Sequence, residues 1–122
     1  MTTEHQEWGA ILRNLEQHRA AAQAMGGEEK IQRHRGTGKL DARQRLAQLF
    51  DPGTFVELGA FVGGIAAQDG SPVPADALVA GFGQIGGRPA LAGAEDFTVL
   101  GGSIGDGAAD KRYRLTQLAA QE

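Results

Sequence analysis

The apolar positions of this chain follow a helical rhythm at both ends and a strand-like one between. From Glu4 to Met25, the residues Trp8, Ile11, Leu12, Leu15 and Ala22 recur at three- and four-residue spacing, which predicts an amphipathic helix with one apolar stripe. Gly26-Gly27 closes it as a C-cap. Such a stripe must dock, either on its own domain or on a partner subunit. A short helix, Glu28–His34, follows, with acids first and bases last, the order that suits the helix dipole. Arg35-Gly36-Thr37-Gly38 reads as a flexible basic loop. A third helix runs from Asp41 through Phe50. Asp41 and Gln44 have the spacing of a capping box, Leu46, Leu49 and Phe50 form its buried edge, and Asp51-Pro52-Gly53 stops it.

The pattern then changes. Thr54–Leu58 is β-prone and predicts a strand through Val56, while Gly63–Ala75 lacks periodicity and reads as a loop. Leu78–Ile85 and Arg88–Ala94 are separated only by Gly86-Gly87, which supplies the two positive φ angles of a type I′ turn and predicts an antiparallel hairpin. Glu95-Asp96-Phe97-Thr98 and Gly101-Gly102-Ser103 lead from it into a last helix, Asp106–Glu122, with Leu115, Leu118 and Ala119 on one side. That helix reaches the final residue without a cap signal, and a lone hairpin is marginal in water, so the chain reads as the front part of a longer domain.

Composition narrows the chemistry. With 122 residues the chain can bury one modest core. Its 19 glycines are about twice the usual share of roughly 7%, and most fall after Gly59, where tight turns or close backbone approaches follow. The absence of cysteine excludes disulfides, thiolate metal sites and a cysteine nucleophile. No apolar run has the length of a membrane span, and the first residues lack the apolar core of a secretory signal, so the expectation is a cytoplasmic protein with no membrane role. A net charge of −3 argues against bulk nucleic-acid binding. Yet Lys30, Arg33, Arg35, Lys39, Arg43 and Arg45 cluster against Asp41 alone, which suits a small anion or a solvated helix face.

No complete catalytic motif stands out. His5, His18 and His34 sit in the helical front, no G-x-S-x-G elbow surrounds a serine, and no H-E-x-x-H or P-loop occurs, so neither a triad nor a metal site is expected. Glu95 and Asp96 are adjacent on a strand and point to opposite faces, so one of them caps the following turn rather than both acting as an acid–base pair. Gly81, Gly83 and Gly86 spell G-x-G-x-x-G, but inside a hairpin rather than opening a helix, which rejects a dinucleotide site. The strand–glycine turn–helix series at Gly101-Gly102-Ser103 is either a turn alone or a cradle of backbone N–H groups for a ligand.

Two stretches carry a family resemblance. Gly38-Lys39-Leu40-Asp41-Ala42-Arg43-Gln44-Arg45 with Leu49-Phe50-Asp51-Pro52-Gly53-Thr54-Phe55, and the hairpin followed by Asp96-Phe97-Thr98-Val99 and Gly101-Gly102-Ser103, resemble the carboxyltransferase (beta) subunit of biotin-dependent acyl-CoA carboxylases. The resemblance covers about Arg33 to the C-terminus. It implies an α/β, crotonase-like spiral of β-β-α units, truncated here, with residues 1–35 a helical N-terminal extension and 36–122 an incomplete first part of the domain. In that family a carboxyl group passes from carboxybiotin, carried on a partner biotin carboxylase or carrier subunit, to an acyl-CoA at a homo-oligomer interface. Backbone oxyanion holes stabilise the enolate and the ureido oxyanion. No catalytic side chain or metal is then expected from this segment, which alone would be inactive. Arg35, Lys39 and Arg43 become candidates for the CoA phosphates, with Gly101, Gly102 and Ser103 as a further cofactor-binding turn. A rival reading is a non-catalytic helical-hairpin scaffold that docks a partner through the Trp8 helix.

Overall fold

Gly86 and Gly87 adopt φ of 58° and 77°, the two left-handed positions of a type I′ turn, and the chain reverses on them. The computed structural model describes residues 2–62, 74–99 and 106–122. Strand β2 (Leu78–Ile85) pairs antiparallel with β3 (Arg88–Glu95), in register from Ile85 opposite Arg88 to Leu78 opposite Glu95. Strand β1 (Val56–Leu58) lies antiparallel on the other side of β2, giving the order β1-β2-β3. Pro89 lacks a donor and sits on β3, at an edge of this sheet, where one is not needed.

The helices are α1 (Thr2–Gln23), α2 (Glu28–Gly36), α3 (Ala42–Leu49) and α4 (Asp106–Gln121). Period-2 alternation along β2 divides its side chains between two layers. Val79 packs with Ala42, Leu46 and Phe50, the last stacked on Phe55 with ring centroids 5.2 Å apart. Leu78 and Ala80 pack on the other face against Ala108 and Leu115 of α4. The small residues Ala90, Ala92 and Ala94 of β3 let α3 approach closely. Burying a side chain such as Leu46 or Val79 contributes about 1.5–3 kcal/mol.

The glycines inside β2 serve this packing. A Cβ on Gly81 would lie 2.1 Å from the carbonyl oxygen of Val56, and one on Gly83 2.8 Å from the Phe50 ring. The G-x-G-x-x-G spelling thus records strand and ring contact at its first two glycines and a turn at its third.

Several expected details differ. The left-handed residue after α1 is Met25, with φ 49°. Gly26 instead permits close approach, since a Cβ there would overlap the Thr98 carbonyl, and Gly27, at φ 99°, precedes α2. Helix α2 continues through Gly36, so the basic loop is shorter than its composition suggests; Thr37 N–H and Gly38 N–H close its end on the carbonyls of His34 and Arg35. Leu49 is exposed because α3 presents the row Ala42–Leu46–Phe50 to the narrow alanine face. On α4 Ala108 and Lys111 are buried, Leu115 is half-buried against the same cluster, and Ala119 is exposed. A 3-10 turn occupies Pro74–Ala77, and the earlier part of the expected Gly63–Ala75 loop lies outside the described residues.

Candidate functional site

The motif residues are hydrogen-bonding joints first. Asp41 caps α3: its Oδ1 accepts from Gln44 N–H at 2.8 Å while Asp41 N–H donates to Gln44 Oε1 at 3.0 Å. Arg35 donates from Nε and Nη2 to Asp41 Oδ2 at 2.9 and 2.7 Å. Arg43 grips both oxygens of Glu57, at 2.8 and 3.0 Å, and reaches the Ala22 carbonyl at 3.1 Å, tying α3, β1 and the end of α1 together.

The Asp51-Pro52-Gly53 turn clamps the hairpin tip. Asp51 carboxylate oxygens accept from Gly86 and Gly87 N–H at 2.9 and 2.8 Å, and Asp51 N–H donates to the Gln84 carbonyl. The N–H groups of Gly87 and Gly86 hold the Asp51 carboxyl below its ordinary value of 3.8. Asp96 caps its own turn, as expected for one of the Glu95–Asp96 pair: its Oδ1 accepts from the Thr98 N–H and hydroxyl, and the Thr98 hydroxyl accepts from Gly26 N–H at 2.9 Å. Glu95 pairs separately with Arg112 of α4.

Beside this frame lies an open groove. Two adjoining cavities of about 490 and 470 Å³ share His34, Lys39 and Phe97 in their walls; Arg45 lines the first, and Lys30 and Arg33 the second. Gly38, at φ 82°, turns the chain into Lys39. The rings of His34 and Phe97 lie nearly parallel, 10° apart with centroids 6.4 Å apart, and Phe97 remains 55% exposed. His34 Nε2 meets the Leu40 carbonyl at 3.0 Å, fixing its ring plane. Among the described residues Lys30, Lys39 and Arg45 make no ion pair, so their charge is available to a ligand. Unpaired ammonium and guanidinium groups suit phosphate, and an exposed aromatic face suits a flat base.

Of the three sequence candidates, the structure brings only Lys39 into the groove wall. Arg35 stands near it with a half-exposed side chain committed to Asp41, and Arg43 lies among Glu57 and Ala22. Gly101, Gly102 and Ser103 lie outside the described residues. Sequence reasoning missed Phe97, whose neighbours read as turn, and Lys111, whose buried ammonium donates to the carbonyls of Ala75 and Leu78 at 2.5 and 2.7 Å. Nothing in the run from Asp110 to Arg114 distinguishes the buried lysine from its charged neighbours. Among the described residues no group of three or more His, Asp or Glu could hold a metal ion, and no helix is long and apolar enough to cross a membrane.

A hairpin followed by a helix on one sheet face, with α3 against the other, fits the crotonase-like α/β class to which the neighbouring carboxyltransferase structures belong. The chain belongs to the carboxyl transferase domain family, whose pattern it matches over residues 33–122. It is 41% identical over 108 residues to the methylmalonyl-CoA decarboxylase subunit alpha of Veillonella parvula, covering 86% of this chain and 21% of that protein. Identity to the propionyl-CoA carboxylase beta chain of Roseobacter denitrificans is 40% over 115 residues, covering 91% and 22%. The transcarboxylase 12S structure with methylmalonyl-coenzyme A bound superposes with a TM-score of 0.83 at 38% identity, over 91% of this chain and 22% of that one. The chain therefore spans about a fifth of the length of these relatives.

Proposed function

We propose that this chain forms the leading part of a carboxyltransferase that moves a carboxyl group between biotin and an acyl-CoA. Residues 1–35 act as a helical extension and 36–122 as the start of the domain. The family match over residues 33–122 carries this reading. The named substrates of the relatives support a CoA ester, with propionyl-CoA and methylmalonyl-CoA the first to test. Carboxybiotin, on a partner carrier protein, supplies the carboxyl group, and no described residue is assigned to it. The assembly is a homo-oligomer in the cytoplasm, and this chain alone binds CoA without turning it over.

The role of the described residues is to hold the nucleotide end of CoA. Lys39 takes a phosphate, Lys30 and Arg45 add positive charge, Arg33 lines the groove while paired with the exposed Glu29, and the base lies on Phe97. Arg35 stands beside the groove in its ion pair with Asp41, Arg43 acts through the fold, and Gly101, Gly102 and Ser103, outside the described residues, are the other cofactor-binding candidates. Calorimetric titration of the 122-residue chain with CoA and with pantetheine tests this. CoA is expected to bind at least about tenfold more tightly than pantetheine, and Lys39→Ala to remove most of that difference, with an effect that shrinks in high salt. Equal binding of the two compounds, or unchanged CoA affinity in Lys39→Ala, overturns the reading. Carboxyl transfer to propionyl-CoA above background by this chain alone would overturn its inactivity.

A further inference from the structure

We infer that α1 pairs antiparallel with α1 of a second copy of this chain. The helix has a continuous apolar stripe, yet Trp8, Ile11 and Leu12 are 60%, 56% and 56% exposed. Among the described residues, burial on this helix is confined to its C-terminal end, where Ala22 is buried and Arg43 binds the Ala22 carbonyl. The stripe continues onto exposed Phe61, whose ring meets His18 edge-on with centroids 6.2 Å apart.

Charge selects the occupant and its direction. The first half of the helix carries only acids, Glu4 and Glu7, among its Lys, Arg, Asp and Glu positions, whereas the second holds Arg13 and Arg19 against one acid, Glu16. In an antiparallel pair centred between Ile11 and Leu12, Trp8 lies opposite Leu15 of the second copy, Ile11 opposite Leu12, and Glu4 opposite Arg19. A parallel pair would set Glu4 against Glu4. The one described ion pair within α1, Glu16 with Arg19 at 3.3 Å, is exposed and leaves Arg19 able to exchange partners. From Trp8 to Leu15 the stripe is only about two helical turns long, so the pair is weak, with dissociation in roughly the micromolar to sub-millimolar range.

Sedimentation equilibrium of the 122-residue chain over rising concentration tests the pairing. A reversible dimer is expected. Leu12→Asp should weaken it by at least about tenfold, since a charge then occupies the seam centre. Glu4→Arg alone or Arg19→Glu alone should weaken it several-fold, and the two together in one chain should restore it. The chain has no cysteine, so mixing Glu4→Cys with Arg19→Cys chains reports direction cleanly. A disulfide between positions 4 and 19 supports the antiparallel pair, whereas disulfides between two copies of position 4 overturn it. A chain that stays monomeric at all concentrations overturns the inference and leaves the stripe to a different protein or another part of a longer polypeptide. A dimer indifferent to Leu12→Asp overturns it as well.

Discussion

Helices α1 and α3 both carry apolar residues at helical spacing, yet their faces meet different fates. On α3, Ala42 and Leu46 are buried, and Phe50 just beyond it joins them against the sheet. On α1, which is nearly three times as long, Trp8, Ile11 and Leu12 stand more than half exposed. Periodicity establishes that a face exists, not what covers it. A short helix becomes core because Asp41 caps it, Arg43 locks it to β1, and the alanines of β3 leave it room. The longer helix is held at one end, by the Arg43 contact to Ala22 and by Gly26 packed on Thr98.

The contrast can be broken first by deleting core volume. Leu46→Ala should destabilise the chain by about 2–5 kcal/mol, measured by urea unfolding, while Leu12→Ala in dilute monomer should stay within about 0.5 kcal/mol. Equal costs would mean that α1 belongs to the same core. Next comes the tie between the two regions. Arg43→Ala strands a largely buried Glu57 and should cost about 2–4 kcal/mol, whereas Lys39→Ala should leave the denaturation midpoint unchanged. A loss of CoA affinity in an Arg43 variant is therefore read only alongside its stability.

A smaller effect is expected at the hairpin. Gly87→Val forces a branched side chain into a left-handed backbone and should cost about 1–2 kcal/mol. Open space surrounds that position, so the loss should come from backbone strain alone. The smallest effect concerns Asp51. Its carboxyl is held below 3.8, so its bonds to Gly86 and Gly87 stabilise the fold above that pH and are lost as pH falls through the lowered value. The stability gap between wild type and Asp51→Ala should be constant near neutrality and narrow below about pH 3.8. A gap independent of pH down to full acid unfolding would contradict the clamp.

Much of the fold was legible because its signals are local. The double glycine dictated the hairpin, the spacing of Asp41 and Gln44 dictated the α3 cap, and the motif pair pointed to the family. What was not legible depends on contacts across the chain. Arg43 reads as one more cation in a basic run until Glu57, fourteen residues on, is brought beside it. Gly26 reads as a helix stop until Thr98, seventy-two residues away, is packed on it. Phe97 reads as a turn residue until His34 stacks on it and the groove forms. The spacing of Trp8, Ile11 and Leu12 predicts a docked face, and among the described residues that face stays exposed.

Hydrogen exchange of the chain, followed residue by residue at two concentrations, tests the central contrast most directly. At a dilution that keeps the chain monomeric, amides of β2 and of β3 facing β2 should be strongly protected, while those of α1 from Glu4 to Leu15 exchange quickly. At high concentration the α1 amides should gain protection around Ile11 and Leu12 while the sheet changes little. Protection of α1 equal to that of β2 in the dilute monomer would contradict the account, placing the leading helix inside the same cooperative core.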